Sequence, residues 1–463
     1  GYLNLRYADV QIRQADSLVV VNLEAGDDLE PALPIDQDRP LPPAVPAPSL
    51  EPVAPVDDEP EAPEAVEDAP EPLQPLPPMP EGVVAVVEKT DGIVLRGTRV
   101  GTARSWERLH AEETLASGDR VLNLAPFRTT LGIGSVRLSM IAQSEVRVVL
   151  PERAGESRFD LIDGSVVLRS SNPDQPVAVG FERTTVRLQL PPGQSVGLSW
   201  LGLKAPGSDA GRPLLTILCP AGNLTVTVDE VAEPQEFQGP TLVSIDPEDG
   251  ILGAEPAVMP RWVDDPEPPP ADIQAGEAFA ALFEHSSGSI TFTLLEGMED
   301  PDPTIRSLSV AALGAMVQAD PEVLEQVIPL LNRQGDPAIR ATAVGVVLRR
   351  MARGTEPAQE VRSLLERFLD PPEAAEDLLR LLIGYPEEKL GDQELFVELV
   401  DGLASPNPSV RQLALETLLM LTGREDHGYD PDAPQGPGLK FWQDLLKAGR
   451  LKAVSRQVPQ TPA

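Results

Sequence analysis

A serine in the stretch Gly193-Gln194-Ser195-Val196-Gly197 is the sequence's best match to a nucleophile for covalent chemistry. The G-x-S-x-G elbow holds its serine on a strained turn between a strand and a helix, where a histidine can take the hydroxyl proton. Here two prolines precede the pattern, an apparent strand follows it, and the next histidine downstream is His285, in a different region. We therefore expect Ser195 to belong to a β-turn, and a serine hydrolase is kept only as a remote alternative.

The acidic and histidine residues offer little to a metal ion. The three histidines lie in separate regions, so no two of them could act together as zinc ligands on one helix or hairpin. Asp426, Asp430 and Asp432 could supply the oxygen ligands that calcium prefers, but their segment lacks the glycine and terminal glutamate of an EF-hand loop. The sequence predicts no catalytic residue, no cofactor and no metal site, with calcium at these aspartates as the alternative.

Aromatic and sulfur-containing residues favour packing roles. Trp106 and Trp200 could stack on sugar rings, as in all-β carbohydrate-binding modules, but both lie beside apolar strand residues and only 4% of the chain is aromatic. Cys219 is the single cysteine, so the chain can form neither an internal disulfide nor a multi-cysteine zinc site. Its apolar neighbours predict a buried thiol, and a carbohydrate-binding protein is a second remote alternative.

The charge balance limits the partners. Asp and Glu number 73 against 37 Lys and Arg, and the formal charge of -36 creates a field that repels phosphate backbones and anionic lipid headgroups. No apolar run is long enough to span a bilayer, and the sequence opens at Gly1 without a basic and then apolar leader. We expect no nucleic-acid partner, and membrane attachment only through an anchor upstream of residue 1.

Composition divides the chain into folded regions and linkers. Between Pro31 and Pro80 there are 17 prolines and 11 acidic residues against the single basic Arg39, a composition with little to bury. Residues 232–275 return to an acidic, proline-rich composition. The predicted boundaries are 1–30 for a short segment that could form strands, 31–81 and 232–275 for linkers, 82–231 for an all-β domain, 276–425 for a helical-repeat solenoid, and 426–463 for a C-terminal capping segment and tail.

Residues 82–231 carry the periodicity of β-strands. Short apolar alternations, such as residues 146–150 and 186–190, are separated by turn residues such as Asp163-Gly164 and Pro192-Gly193-Gln194. Glycine can adopt positive φ at such breaks, and proline fixes the first dihedral angle of a turn. About ten strands fit, which predicts a sandwich or jelly-roll-like domain.

Three segments of this domain resemble the FecR domain. Gly118-Asp119-Arg120-Val121, Gly134-Ser135-Val136-Arg137-Leu138 and Ser144-Glu145-Val146-Arg147-Val148 are similar to its successive glycine-aspartate, glycine-serine and S-x-V-x-V strands. The stretch from Phe159 to Val166 fits the strand and tight turn that follow in the family. The resemblance implies a bacterial, extracytoplasmic β-domain without catalysis. Such domains are best known as the outer part of membrane-anchored regulators that relay a signal to an anti-sigma segment.

A helical motif recurs in the C-terminal region. Asp302-Pro303-Thr304-Ile305-Arg306, Asp336-Pro337-Ala338-Ile339-Arg340 and Asn407-Pro408-Ser409-Val410-Arg411 have arginines 34 and 71 residues apart, which predicts a degenerate copy near Asp370-Pro371-Pro372-Glu373. This pattern resembles the HEAT repeat, and the resemblance implies an α-α solenoid that binds another protein. We expect the Asp or Asn to cap the following helix and the arginine to satisfy turn carbonyls or stack on its neighbour.

These features predict a non-enzymatic protein-binding or scaffold protein of the periplasm or cell envelope, either membrane-anchored or secreted. Its protein partners would bind the HEAT-type region and, in one version, the β-domain as well. One form of the hypothesis makes the chain the outer part of a FecR-type signalling regulator. The alternative is a structural or assembly protein of the cell envelope, in which the acidic linker projects the helical region toward a partner complex.

Overall fold

The structure is a computed structural model, and it describes residues 82–100, 103–172, 174–229, 233–264, 270–285, 288–318, 320–369 and 372–453. Within these ranges a β-sheet domain is followed by a helical region, so the predicted combination of a β part and an α part is confirmed. The predictions for residues 1–30 and 31–81 lie outside the described residues, as do Asp370 and Pro371 of the degenerate repeat. None of the helices described is long and apolar enough to cross a membrane.

The described part of the β-domain contains sixteen strands in one hydrogen-bonded sheet, and thirteen of them lie within residues 82–231, where the sequence predicted about ten. Several are only three to six residues long, and such short strands carry little alternation for a sequence reading to detect. The strands are β1 (Val83–Thr90), β2 (Val94–Val100), β3 (Ala103–Leu109), β4 (Thr114–Ala116), β5 (Arg120–Asn123), β6 (Arg128–Ile133), β7 (Val136–Val148), β8 (Ser157–Ser170), β9 (Val177–Phe181), β10 (Thr184–Gln189), β11 (Ser195–Leu203), β12 (Arg212–Cys219), β13 (Asn223–Val228), β14 (Gln235–Gln238), β15 (Thr241–Asp246) and β16 (Gly250–Pro256).

The long hairpin of β7 and β8 divides the sheet into two branches. The first half of β7 pairs with β6 and its second half with β5, while the first half of β8 pairs with β9 and its second half with β11. Where the branches part, Ala142 and Gly164 have φ angles of 47° and 80°. The β7–β8 register shifts between Ile141 and Glu145 at the same place. Side chains from both branches, including Leu131 and Val186, share one hydrophobic core.

Asp163-Gly164 is a bend inside a strand, which corrects the prediction of a turn between two strands. β8 continues through both residues. A Cβ atom at position 164 would lie 2.3 Å from the carbonyl oxygen of Gln143, so glycine is what lets the two chains approach at this bulge. The predicted break at Gly193 is a turn between β10 and β11.

The linker predicted over residues 232–275 is also corrected. It contains β14, β15 and β16, a short helix α1 (Arg261–Asp264), and the start of a longer helix at Pro270. β15 pairs with β12 and buries Val243 and Ile245 in the β-domain core. The prolines mark the ends of these short strands, where they remove no hydrogen bond from the ladder. A composition typical of a linker therefore coexists with a sheet edge.

Most of the C-terminal half is helical, and successive helices pack against one another. The helical region starts at Pro270 rather than at the predicted residue 276. The helices are α2 (Pro270–His285), α3 (Ile290–Gly297), α4 (Pro303–Met316), α5 (Leu324–Val327), α6 (Pro337–Met351), α7 (Thr355–Phe368), α8 (Pro372–Ile383), α9 (Gln393–Gly402), α10 (Pro408–Thr422) and α11 (Pro437–Lys447), with 3-10 turns at Pro321–Val323, Ile328–Asn332 and Glu387–Lys389.

Each repeated motif starts a helix, as the sequence predicted. The side chains of Asp302, Asp336 and Asn407 accept hydrogen bonds from backbone N–H groups in the first turns of α4, α6 and α10. A proline follows each cap at the first helical position, where its missing N–H costs no helical hydrogen bond. The capping role is thus confirmed. The HEAT-type solenoid as a whole, like the jelly-roll-like arrangement of the β-domain, stays a prediction.

Candidate functional site

The motif arginines hold the turn that precedes their own helix, and Arg340 Nη1 does so through the Arg333 carbonyl at 2.7 Å. Arg306 Nη1 donates to two carbonyl oxygens of its turn at 2.9 and 3.0 Å, and Arg411 Nη1 does the same at 2.7 and 2.9 Å. Arg306 also donates through Nε to Asp336 Oδ2 of the next motif, at 2.6 Å. These contacts confirm that the arginines satisfy turn carbonyls, so their guanidinium groups are engaged within the protein.

Arg340 ties distant elements together. Its side chain is fully buried, and its two Nη atoms donate to the two carboxylate oxygens of Asp432 at 2.8 and 3.0 Å. Its Nε donates to Gln412 of α10 at 3.0 Å, so α6 meets α10 directly although the two motifs are far apart in sequence. Burial acts to raise the pKa of Asp432, but hydrogen bonds from Arg340 and the Gly335 N–H outweigh it and hold that pKa below its ordinary value.

The aspartates considered for calcium shape the C-terminal segment. Besides the Asp432 pair, Asp430 Oδ1 accepts from the Asp432 N–H at 2.8 Å, and Asp426 Oδ1 accepts from the Gly428 N–H at 2.9 Å. These are turn-forming bonds made by the same oxygens that a cation would need. In the part of the chain that the structure describes, no group of three His, Cys, Asp or Glu side chains is arranged to hold a metal ion.

Ser195 is a strand residue. It is buried at the start of β11, and its Oγ accepts a hydrogen bond from Arg169 Nε at 2.7 Å. A nucleophile elbow needs a helix after the serine, whereas β11 continues to Leu203. Cys219 is buried, as predicted, and burial raises the pKa of its thiol, which disfavours the reactive thiolate.

Trp200 is buried in the core, as expected of a packing residue, and an arginine of the helical region covers its ring. The guanidinium carbon of Arg353 lies 4.1 Å from the ring centroid. Arg353 Nη2 donates to the Ile162 carbonyl at 2.8 Å and lies 3.2 Å from Asp163 Oδ1. Arg349 Nη1 lies 3.5 Å from the other oxygen of Asp163. Arg349 in the last turn of α6 and Arg353 just after it thus hold the bend of β8. No local sequence signal predicted this contact.

The loop after β11 reaches the C-terminal ends of two helices. Lys204 Nζ donates to the carbonyl oxygens of Leu382 and Ile383 at 3.1 and 2.8 Å, and the Gly211 N–H donates to the Met351 carbonyl at 3.2 Å. Carbonyls at a helix C-terminus lack intrahelical partners and carry partial negative charge, so these donors are well placed. Burial lowers the pKa of Lys204 to about 8. We call these contacts, with those of Arg349 and Arg353, the seam.

The two regions also share apolar packing. Phe127, between β5 and β6, stacks on Phe279 of α2 with ring centroids 6.1 Å apart. Ile93 and Leu95 of the β-domain belong to the same buried cluster as the helical core, and the partly buried Trp106 packs against that cluster. The β-domain and the helical region are therefore parts of one compact unit, not two bodies on a tether.

A groove of about 510 Å³ opens between α8, α9 and α10. Its lining includes the buried Leu381 and Val410 and the exposed Val397. A Cβ atom at Gly402 would lie 3.0 Å from the Cβ atom of Ala414, so glycine allows α9 and α10 to approach closely beside it. The groove thus combines a rigid helical frame with apolar surface, which is typical of a site for a peptide or a protein segment.

Carboxylates dominate the charge of this groove, and Arg380 is the only cation among its lining residues. Arg380 Nη1 and the Tyr385 hydroxyl both donate to Glu398 Oε1 at 2.9 Å. Burial and the Glu398 carboxylate raise the pKa of Tyr385, so its hydroxyl keeps its proton. The carboxylates that line the groove are Asp377, Glu394, Glu398 and Asp401.

Comparison with known proteins leaves the family open. No family model matches the sequence, and no curated protein matches it. Two crystal structures of a proposed anti-sigma factor from Parabacteroides distasonis, at 2.50 and 1.65 Å resolution, are similar over 31% and 32% of this chain, with 11% and 12% identity and TM-scores of 0.24 and 0.21. This chain spans 62% and 60% of those chains. A likeness at these TM-scores carries no argument about function.

Proposed function

We propose that this chain is a non-enzymatic protein-binding protein that acts outside the cytoplasm and uses the groove between α8, α9 and α10 to bind its partner. The observation that carries the proposal is the groove itself, about 510 Å³ in volume, which is lined by both apolar side chains and carboxylates. Because the seam fixes the helical region on the β-domain, the groove is presented on a rigid support, which lowers the entropy cost of binding.

The proposal includes a HEAT-type architecture for the helical region. Its support is the repeated cap and proline at the start of α4, α6 and α10, and the bond from Arg306 to the next motif. Stacked helix pairs of this kind share a continuous core and offer extended surfaces to other proteins. One departure is Ala374, which occupies the arginine position of the degenerate copy.

We also propose that the chain is the outer part of a FecR-type membrane-anchored regulator in the periplasm or cell envelope. Support comes from the sequence resemblance and from the structural use of its residues. Gly118 and Gly134 have φ angles of 95° and 57°, and Asp119 Oδ2 accepts from the Ala116 N–H at 2.9 Å. The motif glycines thus make turns that other residues adopt at a cost.

Site-specific photo-crosslinking in the organism that makes the protein tests the binding function. A photoreactive residue replaces Val397, which is 41% exposed in the groove, and in a matched control it replaces Leu150, which is 58% exposed on the β-domain. We expect a protein adduct at position 397 that is absent at position 150. Mass spectrometry then identifies the partner for direct binding to the purified chain, where Val397→Asn, which removes the apolar contact without changing the charge, should weaken binding.

The proposal would be contradicted by the absence of any protein adduct at position 397, or by the same adducts at both positions. Failure of the identified partner to bind the purified chain would contradict it as well. For the regulator role, the groove variant Val397→Asn should alter transcription of genes under a sigma factor encoded beside this protein. An unchanged transcript profile together with lost partner binding would favour the envelope-assembly alternative.

A further inference from the structure

We infer that the groove binds a cationic amphipathic segment of its partner, in which lysine or arginine side chains flank one apolar residue. This inference rests on the proposed function and names the chemistry of the partner. It is carried by the arrangement of α9, by the groove carboxylates that make no ion pair within the described residues, and by the net charge of the chain.

One face of α9 lines the groove, and the opposite face enters the hydrophobic core. The groove residues recur at helical positions i, i+3, i+4 and i+7, so they lie on one side of the helix. In that row the apolar Val397 lies between acidic residues. Such a row can contact one apolar anchor of a bound segment and the polar residues on either side of that anchor. The groove face consists of Glu394, Val397, Glu398 and Asp401, and the core face of Leu395, Phe396, Leu399 and Val400.

Two carboxylates of this face lack a cation among the described residues. Glu398 is engaged by Arg380 and Tyr385, and Arg380 also lies 3.9 Å from Asp377. Arg380 therefore interacts with the carboxylates at one end of the groove. Glu394 and Asp401 are exposed, on either side of Val397, and make no ion pair with the described part of the chain. An incoming segment with two spaced cations would pair with both while an apolar side chain covers Val397.

Other occupants fit this surface less well. A second copy of the chain would bring its own charge of -36 to an acidic groove, and nucleic acid would meet the same repulsion. The carboxylates are also spread along one turn after another of α9, rather than converging on one point as a metal site requires. A cationic polypeptide segment is the occupant that matches both the charge and the apolar lining.

Peptide binding to the full chain tests the inference. The probe is an alanine-based helical peptide of about four turns with lysines on either side of one leucine. Fluorescence anisotropy measures the affinity of this peptide for the chain. Binding should weaken as salt increases, because the attraction is screened. The double variant Glu394→Gln/Asp401→Asn should bind the peptide roughly fivefold more weakly, the expected effect of losing two exposed ion pairs.

A matched control removes the same charge elsewhere. Glu373 and Glu376 are exposed on α8 but do not line the groove, so Glu373→Gln/Glu376→Gln should leave peptide affinity within about twofold of wild type. Equal weakening in both double variants would overturn the inference, because only the general field would then act. Equally tight binding of a peptide with glutamates in place of the lysines would also overturn it.

The two proposals can fail separately. If position 397 captures a partner in the cell and neither double variant weakens that partner's binding, the binding function stands and the inferred chemistry is wrong. If the lysine peptide binds as expected and no partner is captured, the chemistry of the groove stands and the proposed function is wrong.

Discussion

Lys204 shows how a single buried side chain couples two parts of the fold. Its ammonium group donates to the last carbonyls of α8 from a loop of the β-domain. Burial lowers the pKa of Lys204 to about 8 from 10.5, while the nearby Asp209 acts in the opposite direction. The neutral amine still has two N–H donors, so both carbonyls keep their hydrogen bonds after deprotonation. The folded state is therefore destabilised by the burial of the positive charge and not by a loss of hydrogen bonds.

This depressed pKa predicts a pH dependence of stability with a definite sign. Below pH 8 both folded and unfolded states are protonated, and the folded state bears the cost of a buried cation. Between the two pKa values the unfolded state binds more protons, so stability rises with pH. The unfolding free energy of wild type minus that of Lys204→Met should therefore increase by up to about 3 kcal/mol between the two pKa values. Urea unfolding across that pH series measures it.

The control for this pH series is Lys440→Met, which removes an exposed lysine of α11. Its difference from wild type should vary far less with pH, because its ammonium group lies exposed to water and is not buried against helix carbonyls. A flat difference for Lys204→Met would show that its ammonium group is not destabilised by burial.

Among the elements, the C-terminal segment around Asp432, which we call the clasp, joins helices that are remote in sequence. Asp432 accepts two hydrogen bonds from Arg340 of α6, and Arg340 also bonds to Gln412 of α10. The motif arginine of the degenerate copy is replaced by Ala374, so no arginine can make the equivalent bond from α8. The hydrogen bonds between motifs therefore run from α6 directly to α10 and to the clasp. Sequence periodicity predicted the copies but not this order of contacts.

Removing the carboxylate of the clasp should destabilise the fold strongly. Asp432→Ala leaves the fully buried Arg340 cation without its counter-ion, which should lower the unfolding free energy by about 3 kcal/mol. Adding Arg340→Met should restore part of that loss, because an apolar side chain of similar length needs no counter-ion. Urea unfolding of the single and double variants provides the measurement.

The comparison for the clasp is an exposed ion pair. Glu299 pairs with Arg333 at 3.0 Å, but the Glu299 side chain is 71% exposed. Glu299→Ala should therefore cost less than about 1 kcal/mol. Similar losses for Glu299→Ala and Asp432→Ala, or no recovery in the Arg340→Met double variant, would argue against a buried clasp.

At the scale of the whole molecule, the seam makes the β-domain and the helical region one unit. Gly202 packs closely against Ala352, because a Cβ atom at position 202 would lie 2.4 Å from the Ala352 Cβ atom. The shared apolar cluster and the ion pairs of Asp163 lie on the same boundary.

Overfilling this contact should loosen both sides of the seam together. Gly202→Val should cost about 1–3 kcal/mol by overpacking and should raise hydrogen–deuterium exchange in β11 and at the ends of α6 and α8. The matched control is Gly253→Val on β16, where a new Cβ atom meets nothing within 4 Å. Increased exchange confined to β11, with α6 and α8 unchanged, would indicate two independent bodies.

The sequence by itself determined the order of β and α parts, the helix caps, the turn contacts of the motif arginines and the buried state of Cys219 and Trp200. These follow from local periodicity, proline and glycine positions and short-range hydrogen bonding, all of which act over a few residues. The linker assigned to residues 232–275 failed because strands such as β15 gain their stability from pairing with strands on both sides, here β12 and β16, which composition does not encode.

Only the tertiary structure decided where the seam, the clasp and the groove lie. Lys204 and Leu382 are 178 residues apart, and Arg340 and Asp432 are 92 apart, so each pair meets only after both regions have packed. The acidic face of α9 was present in the sequence as helical spacing. It became a groove only when α8 and α10 closed around it, because a cavity is a property of several packed elements and not of one.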